Sequence, residues 1–170
     1  MTRYSLPVAC ALATIIVLAG AAEAQIRPRC SAATLKGAWG YTEIGSVIAP
    51  SPTGGTVTVM AAAVGRYEFD RAGNFDGEQD SSANGAVGHD TKQGTYVINP
   101  DCTGTLTLTA YRDGVPQRHS VWAFVIVDGD GGREMRGIMT SMVLPNGIPL
   151  APILTMSARP IPTVWGVWRD

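Results

Sequence analysis

The sequence predicts an all-β domain, an eight-stranded antiparallel up-and-down barrel following a cleaved signal peptide. Three observations predict it. Turn-forming clusters interrupt the chain about every 13 to 18 residues from Gly54 onward: Gly54-Gly55, Arg71-Ala-Gly-Asn74, Asn84-Gly85, Asn99-Pro-Asp101, Asp113-Gly114, Asp128-Gly-Asp-Gly-Gly132 and Pro145-Asn-Gly147. The segments between them are rich in Val and Thr, which suit a pleated, half-buried surface. No window after the N-terminal leader shows a helical period. About ten residues remain per strand, long for a sandwich and typical of a meandering barrel. Closing the first strand on the last also removes the edges at which such strands aggregate.

The leader comes first. Arg3 precedes an apolar run from Leu6 to Leu18, and small residues lead to Ala22-Glu23-Ala24. This is the layout of a secretory signal peptide, residues 1–24, with cleavage expected after Ala24. The apolar run is short for a membrane span, and Cys10 lies too early in it for a lipoprotein site. Residues 25–170 then form a single domain long enough to bury a core. Its formal net charge stays near −1, as in the whole chain. That balance excludes a basic footprint for nucleic acid and a polybasic membrane patch.

Only Cys30 and Cys102 survive processing. An even pair in an exported chain reads as one disulfide, tying the start of the domain to the turn before the fifth strand. A metal or redox pair would need CxxC spacing or a nearby histidine, and neither is present.

Strands are expected at about 36–47, 56–69, 75–84, 89–98, 103–112, 117–127, 133–143 and 150–159. In the second, Val57, Val59, Ala61, Ala63, Gly65, Tyr67 and Phe69 share one face, with Thr56, Thr58, Arg66, Glu68 and Asp70 on the other. The small Ala61-Ala63-Gly65 run gives a thin inner face where a long strand can bend. The sixth, Val121-Trp-Ala-Phe-Val-Ile-Val127, is apolar on both faces and is expected to be covered on both. The N-terminal segment or the tail after Pro162, with Trp165 and Trp168, is the candidate cover for its outer face; the alternative for the tail is that it plugs a barrel mouth or meets a partner.

Few residues carry chemistry. His89 and His119 stand in no ligand motif and read as exposed side chains, and no GxSxG elbow supports a nucleophile. Asp128-Gly-Asp-Gly-Gly132 opens like a calcium loop but has Gly132, Arg133 and Met139 where the fifth, sixth and twelfth positions need a ligand, Gly and Glu. It reads as a hairpin turn. Asp76, Glu78 and Asp80 share one face of the third strand, either in solvent or, if inward, as a cation or acid–base site. No metal and no cofactor is expected.

Gly37-Ala38-Trp39 at the start of the first strand is similar to the Gly-x-Trp signature of lipocalins and related calycin barrels. That resemblance implies a Trp closing one barrel end under an Arg from the far end, for which Arg159 is the candidate. A wider pattern resembles a family of small, uncharacterised exported bacterial proteins. It comprises Cys30-x4-Leu35-x-Gly37, Ala63-Val64-Gly65-Arg66, Phe69-Asp70-x-x-Gly73-Asn74, Gly94-Thr95-Tyr96-x-x-Asn99-Pro-Asp-Cys-Thr-Gly-Thr105 and Phe124-Val-Ile-Val-Asp128. The resemblance implies export, the cysteine pair and a β-fold, and it transfers no catalytic residue. Its motifs are turns and inner-face positions. The stretches 49–53 and 145–152 fall outside it, where an individual function could sit.

These readings converge on an exported barrel, periplasmic or extracellular, that binds a small apolar ligand or a partner through one open end without catalysis. Trp39, Tyr41, Tyr67, Tyr96 and Trp122 are the candidate ligand-binding residues of its interior. An interior filled by Trp39, Tyr67, Phe69 and Trp122 would leave only a surface or structural role. One alternative is an isomerase or cyclase on an allene-oxide-cyclase-like barrel, with Glu43, Tyr41 or Tyr96 at the floor of a pocket. Another is a small outer-membrane barrel. Low aromatic content, the absence of two aromatic girdles, the cysteine pair and the final Arg169-Asp170 weigh against stable membrane insertion.

Overall fold

The computed structural model describes residues 30–129 and 132–162; residues 1–29 with the expected leader, the middle of the Asp128–Gly132 turn and the tail bearing Trp165 and Trp168 lie outside the described residues. Eight strands follow one four-residue helix: α1 (Ala32–Leu35), β1 (Gly37–Pro50), β2 (Thr56–Phe69), β3 (Asn74–Ala83), β4 (Ala86–Ile98), β5 (Thr103–Arg112), β6 (Val115–Gly129), β7 (Gly132–Val143) and β8 (Pro149–Pro160). Each strand pairs antiparallel with the next, and β1 pairs with β8 from Trp39↔Pro160 to Ile48↔Ala151, so the sheet closes into an up-and-down barrel.

Turn chemistry sets this order. Asn84-Gly85 and Asp113-Gly114 have positive φ at both positions, 47° and 87° in the first and 51° and 77° in the second. That is the primed two-residue geometry whose twist matches a hairpin. Pairing therefore runs up to the turns, and β1, β4, β6 and β8 exceed their expected lengths by a few residues at their ends. Asn84 also ties its turn to β2: its Oδ1 accepts the Met60 N–H and its own N–H donates to the Met60 carbonyl, both at 2.9 Å.

Period-two alternation decides which side chains face inward. Trp39, Tyr41, Glu43 and Val47 do so on β1, Tyr67 and Phe69 on β2, and Leu106, Leu108 and Ala110 on β5. A bulge at Thr140, which has no ladder partner between Met139 and Ser141, shifts the phase on β7 so that Met139 and Met142 are both buried.

The end of the barrel where β1 begins is packed shut. Trp39, Tyr67, Phe69, Phe75 and Tyr96 form a cluster with ring centroids 5.1–6.4 Å apart. Such pairs contribute about 0.5–1.5 kcal/mol each beyond area burial. Helix α1 lies across this end. The Leu35 carbonyl accepts the Trp39 indole N–H at 2.8 Å, and the Ala32 carbonyl accepts the Tyr96 hydroxyl at 3.1 Å. Cys30, just before α1, is bridged to Cys102 between β4 and β5.

Two expectations need correction. One helical turn, α1, precedes β1, too short to leave a period in the sequence; it is held by the Ser31 N–H on Thr34 Oγ1 and the Thr34 N–H on the Ser31 carbonyl. Arg159 does not stack on Trp39. It alternates with buried Ala158, so it projects outward and pairs with Glu134 at 3.4 Å. The candidate covers for the outer face of β6 fall outside the described residues; among the described ones, Val125 on that face is 37% exposed and lies opposite Arg136 of β7. Asp76, Glu78 and Asp80 face solvent.

Candidate functional site

Above the aromatic cluster the interior changes character. Tyr41 and Tyr67 stack at mid-height with centroids 4.1 Å apart and planes 12° from parallel. Over them lies a buried ion pair, Lys92 Nζ to Glu43 Oε1 at 2.8 Å, joined by the Tyr67 hydroxyl, which accepts from Lys92 at 3.2 Å and donates to Glu43 at 3.4 Å. Lys92 Nζ also sits 4.7 Å from the Tyr41 ring centroid, a cation–π contact. Burial pulls the Lys92 ammonium below its ordinary pKa, and Glu43 opposes that pull. Burial, then the Glu43 charge, pushes both tyrosines well above theirs.

A second polar group continues from Tyr41. Its hydroxyl donates to Gln79 Oε1 at 3.3 Å, and Gln79 Nε2 donates to Asp90 Oδ2 at 3.2 Å. Asp90 is fully buried and carries two guanidinium partners: Arg112 through Nε at 2.9 Å and Nη2 at 2.8 Å, and Arg118 through Nη1 and Nη2 at 3.1 Å. Burial alone would raise the Asp90 pKa. The Arg118 charge and the Arg112 hydrogen bond outweigh it and hold the carboxyl below its usual value. Gly88 makes room for this arrangement, since a Cβ there would strike the Arg112 guanidinium.

Glu43, Arg112 and Arg118 form the polar part of a cup of about 240 Å³ at the open end of the barrel. Its walls are otherwise apolar or small. Ala61, Ala63 and Ser81 stand on the β2–β3 side, with Met139, Met142 and Leu154 on the β7–β8 side. The rim includes Ala49 and Leu150, so the two stretches outside the resemblance, 49–53 and 145–152, both border the mouth. On β6, below Arg118, Ser120 Oγ and Trp122 Nε1 are buried without a hydrogen-bond partner among the described residues. A larger groove of about 550 Å³ runs along the outer wall by Ile44, Val125 and Ile138, away from these polar groups.

The five sequence-predicted interior residues all face inward and are buried. None lines the cup. Trp39 and Tyr96 belong to the closed end, Tyr41 and Tyr67 support the ion pair from beneath, and Trp122 packs beside Leu106 in the β5–β6 register. Of the three residues named for an enzyme floor, Glu43 lies on the cup, Tyr41 lies beneath it, and Tyr96 is at the opposite end. His89 is exposed against Asp80 at 2.9 Å, and His119 meets Thr109 Oγ1 at 2.8 Å on the outer wall.

Sequence reasoning missed Gln79, Asp90, Lys92, Arg112 and Arg118. For two of them a signal existed: Tyr96 points inward on β4, and counting back by twos places Lys92 and Asp90 inward too.

Chemically, the arrangement can hold an apolar body against the Met, Leu and Ala walls and present polar groups to one side of it. It places a carboxylate on the cup with an ammonium and a phenol behind it. No family model, curated protein or solved structure matches this chain.

Proposed function

We propose that this is an exported protein that binds a small, mainly apolar ligand in the open end of its barrel without transforming it. The observation that carries this reading is the division of the interior. Trp39, Tyr67, Phe69 and Trp122 fill part of it, yet the opposite end keeps a cup of about 240 Å³. An eight-stranded barrel has room for its own side chains or one small ligand. Here Ala61, Ala63 and Ser81 stand where larger residues would close the space. Met139 and Met142 supply unbranched walls that adapt to a ligand's shape. The volume is below the roughly 300–1,000 Å³ of pockets for drug-sized molecules, which points to a small ligand.

Export is supported by the leader-like N-terminus and by the Cys30–Cys102 bridge, since disulfides persist in oxidising compartments. A soluble barrel is favoured over a membrane-inserted one by its outer wall. Asp76, Glu78 and Asp80 on β3 and Arg66 and Glu68 on β2 project outward, where a bilayer would penalise them.

Native mass spectrometry of the protein exported by its own host tests the binding role. Wild type carrying a small molecule that Ala63→Phe lacks would support it. Wild type that emerges empty and takes up no apolar probe would overturn it. One observation favours a second reading: Glu43 is on the cup, as an isomerase or cyclase would require. A ligand chemically altered by wild type and left unaltered by Glu43→Gln would move the assignment there.

A further inference from the structure

Resting on the reading of the cup as a ligand site, we infer that it selects a carboxylate monoanion with a short apolar body, its acid group held by Arg112 and Arg118. The charges inside the barrel do not cancel. Lys92 and Glu43 form a closed pair at 2.8 Å. Among the described residues, Asp90 is then the one carboxylate shared by two guanidiniums, and one positive charge is left over at the cup.

The arginines keep donors in reserve. Arg112 reaches Asp90 through Nε and Nη2, and Arg118 through Nη1 and Nη2, so Arg112 Nη1 and Arg118 Nε make no hydrogen bond among the described residues. Both side chains line the cup; Arg112 is 43% exposed, whereas Arg118 is 22% exposed, so it is Arg118 that solvent screens incompletely.

Local structure fixes the two heads on one carboxylate. Gly88 leaves space for the Arg112 guanidinium. A bulge in the β5–β6 pairing leaves Gln117 without a ladder partner between Pro116 and Arg118, and bulges of this kind re-aim neighbouring side chains. A guanidinium pre-oriented in this way suits the planar, charge-assisted recognition of a carboxylate. The Met and Leu wall of the cup supplies the apolar side of the same ligand.

Calorimetric titration of the disulfide-bonded mature protein at pH 7 with octanoate, octanol and octylamine tests this. The three probes share a chain and differ in head-group charge. Octanoate binding at least tenfold tighter than either of the others is expected. Arg118→Gln is expected to remove most of that preference by weakening octanoate far more than octanol. Equal binding of all three probes to wild type would overturn the anion assignment and leave the cup as an apolar site. An octanoate preference that persists in both Arg118→Gln and Arg112→Gln would overturn it as well, by placing the acid group elsewhere. Failure of all three probes to bind would overturn the cup as a ligand site, and this inference with it. The wild-type comparison needs no variant to fold.

Discussion

Lys92 and Glu43 show what buried charge costs this barrel and how its geometry offsets that cost. Both side chains are buried, Glu43 against the cup, and each is held by the other and by the Tyr67 hydroxyl. Removing one member leaves its partner as an uncompensated buried charge, a loss of about 3–5 kcal/mol. Lys92→Ala is therefore expected to destabilise by that amount in urea unfolding. Glu43→Leu combined with Lys92→Met should recover most of the loss, because a well-packed apolar pair often matches a buried ion pair. Asp90 contributes to the acid limb together with Asp70, Asp101 and Glu134, whose carboxyls are also held below their usual values. The Asp90 pKa in the fold lies below the unfolded value of about 3.9. Its contribution to stability is thus complete above that pH. It is lost as pH falls further, where the unfolded carboxyl binds a proton before the folded one does. Asp90→Asn should lower stability at pH 7 and flatten the decline below about pH 4 when unfolding is followed into acid. These charged residues were the least legible part of the sequence. A charge on a strand reads by default as outward, and Arg112 and Arg118 stand at the ends of the expected strands 103–112 and 117–127, where exposed charges are common. Only closure of the sheet gives β4 and β6 an inner face on which such charges must find partners.

The strands were legible because their punctuation is local. Asn84-Gly85 and Asp113-Gly114 name their own turn geometry, and period-two alternation names a face, so eight strands and their order follow from short windows of sequence. Helix α1 leaves no such trace, since one turn cannot display a 3.6-residue period. The Thr140 and Gln117 bulges are equally silent, because each depends on the pairing partner. Two glycines separate local from tertiary demands. Gly85 has a φ of 87° with open space around it, so Gly85→Ala should cost only the backbone penalty, about 1–2 kcal/mol. Gly45 has a φ of 151°, and a Cβ there would strike the Ile153 carbonyl across the β1–β8 seam. Gly45→Ala should therefore cost more than Gly85→Ala. It should also raise amide hydrogen exchange selectively along β1 and β8, the strands whose pairing closes the barrel.

At the scale of the whole molecule, the two ends of the barrel carry different burdens. One holds the aromatic cluster, α1 and the Cys30–Cys102 bridge; the other holds the cup. The bridge spans 72 residues. By loop entropy it stabilises the fold by up to about 4 kcal/mol, through restriction of the unfolded chain. Cys30→Ser with Cys102→Ser should consequently lower Tm by roughly 10 °C in a thermal melt, given the size of the domain. The same variant separates stability from binding. The polar cluster and the cup walls lie beyond the stacked Tyr41–Tyr67 pair and make no use of the bridge. Below its own Tm, the cysteine-free barrel should therefore bind the cup's ligand with the affinity of wild type. A loss of affinity as large as the loss of stability would instead mean that the two ends form one cooperative unit, with the bridge setting the shape of the cup from across the barrel.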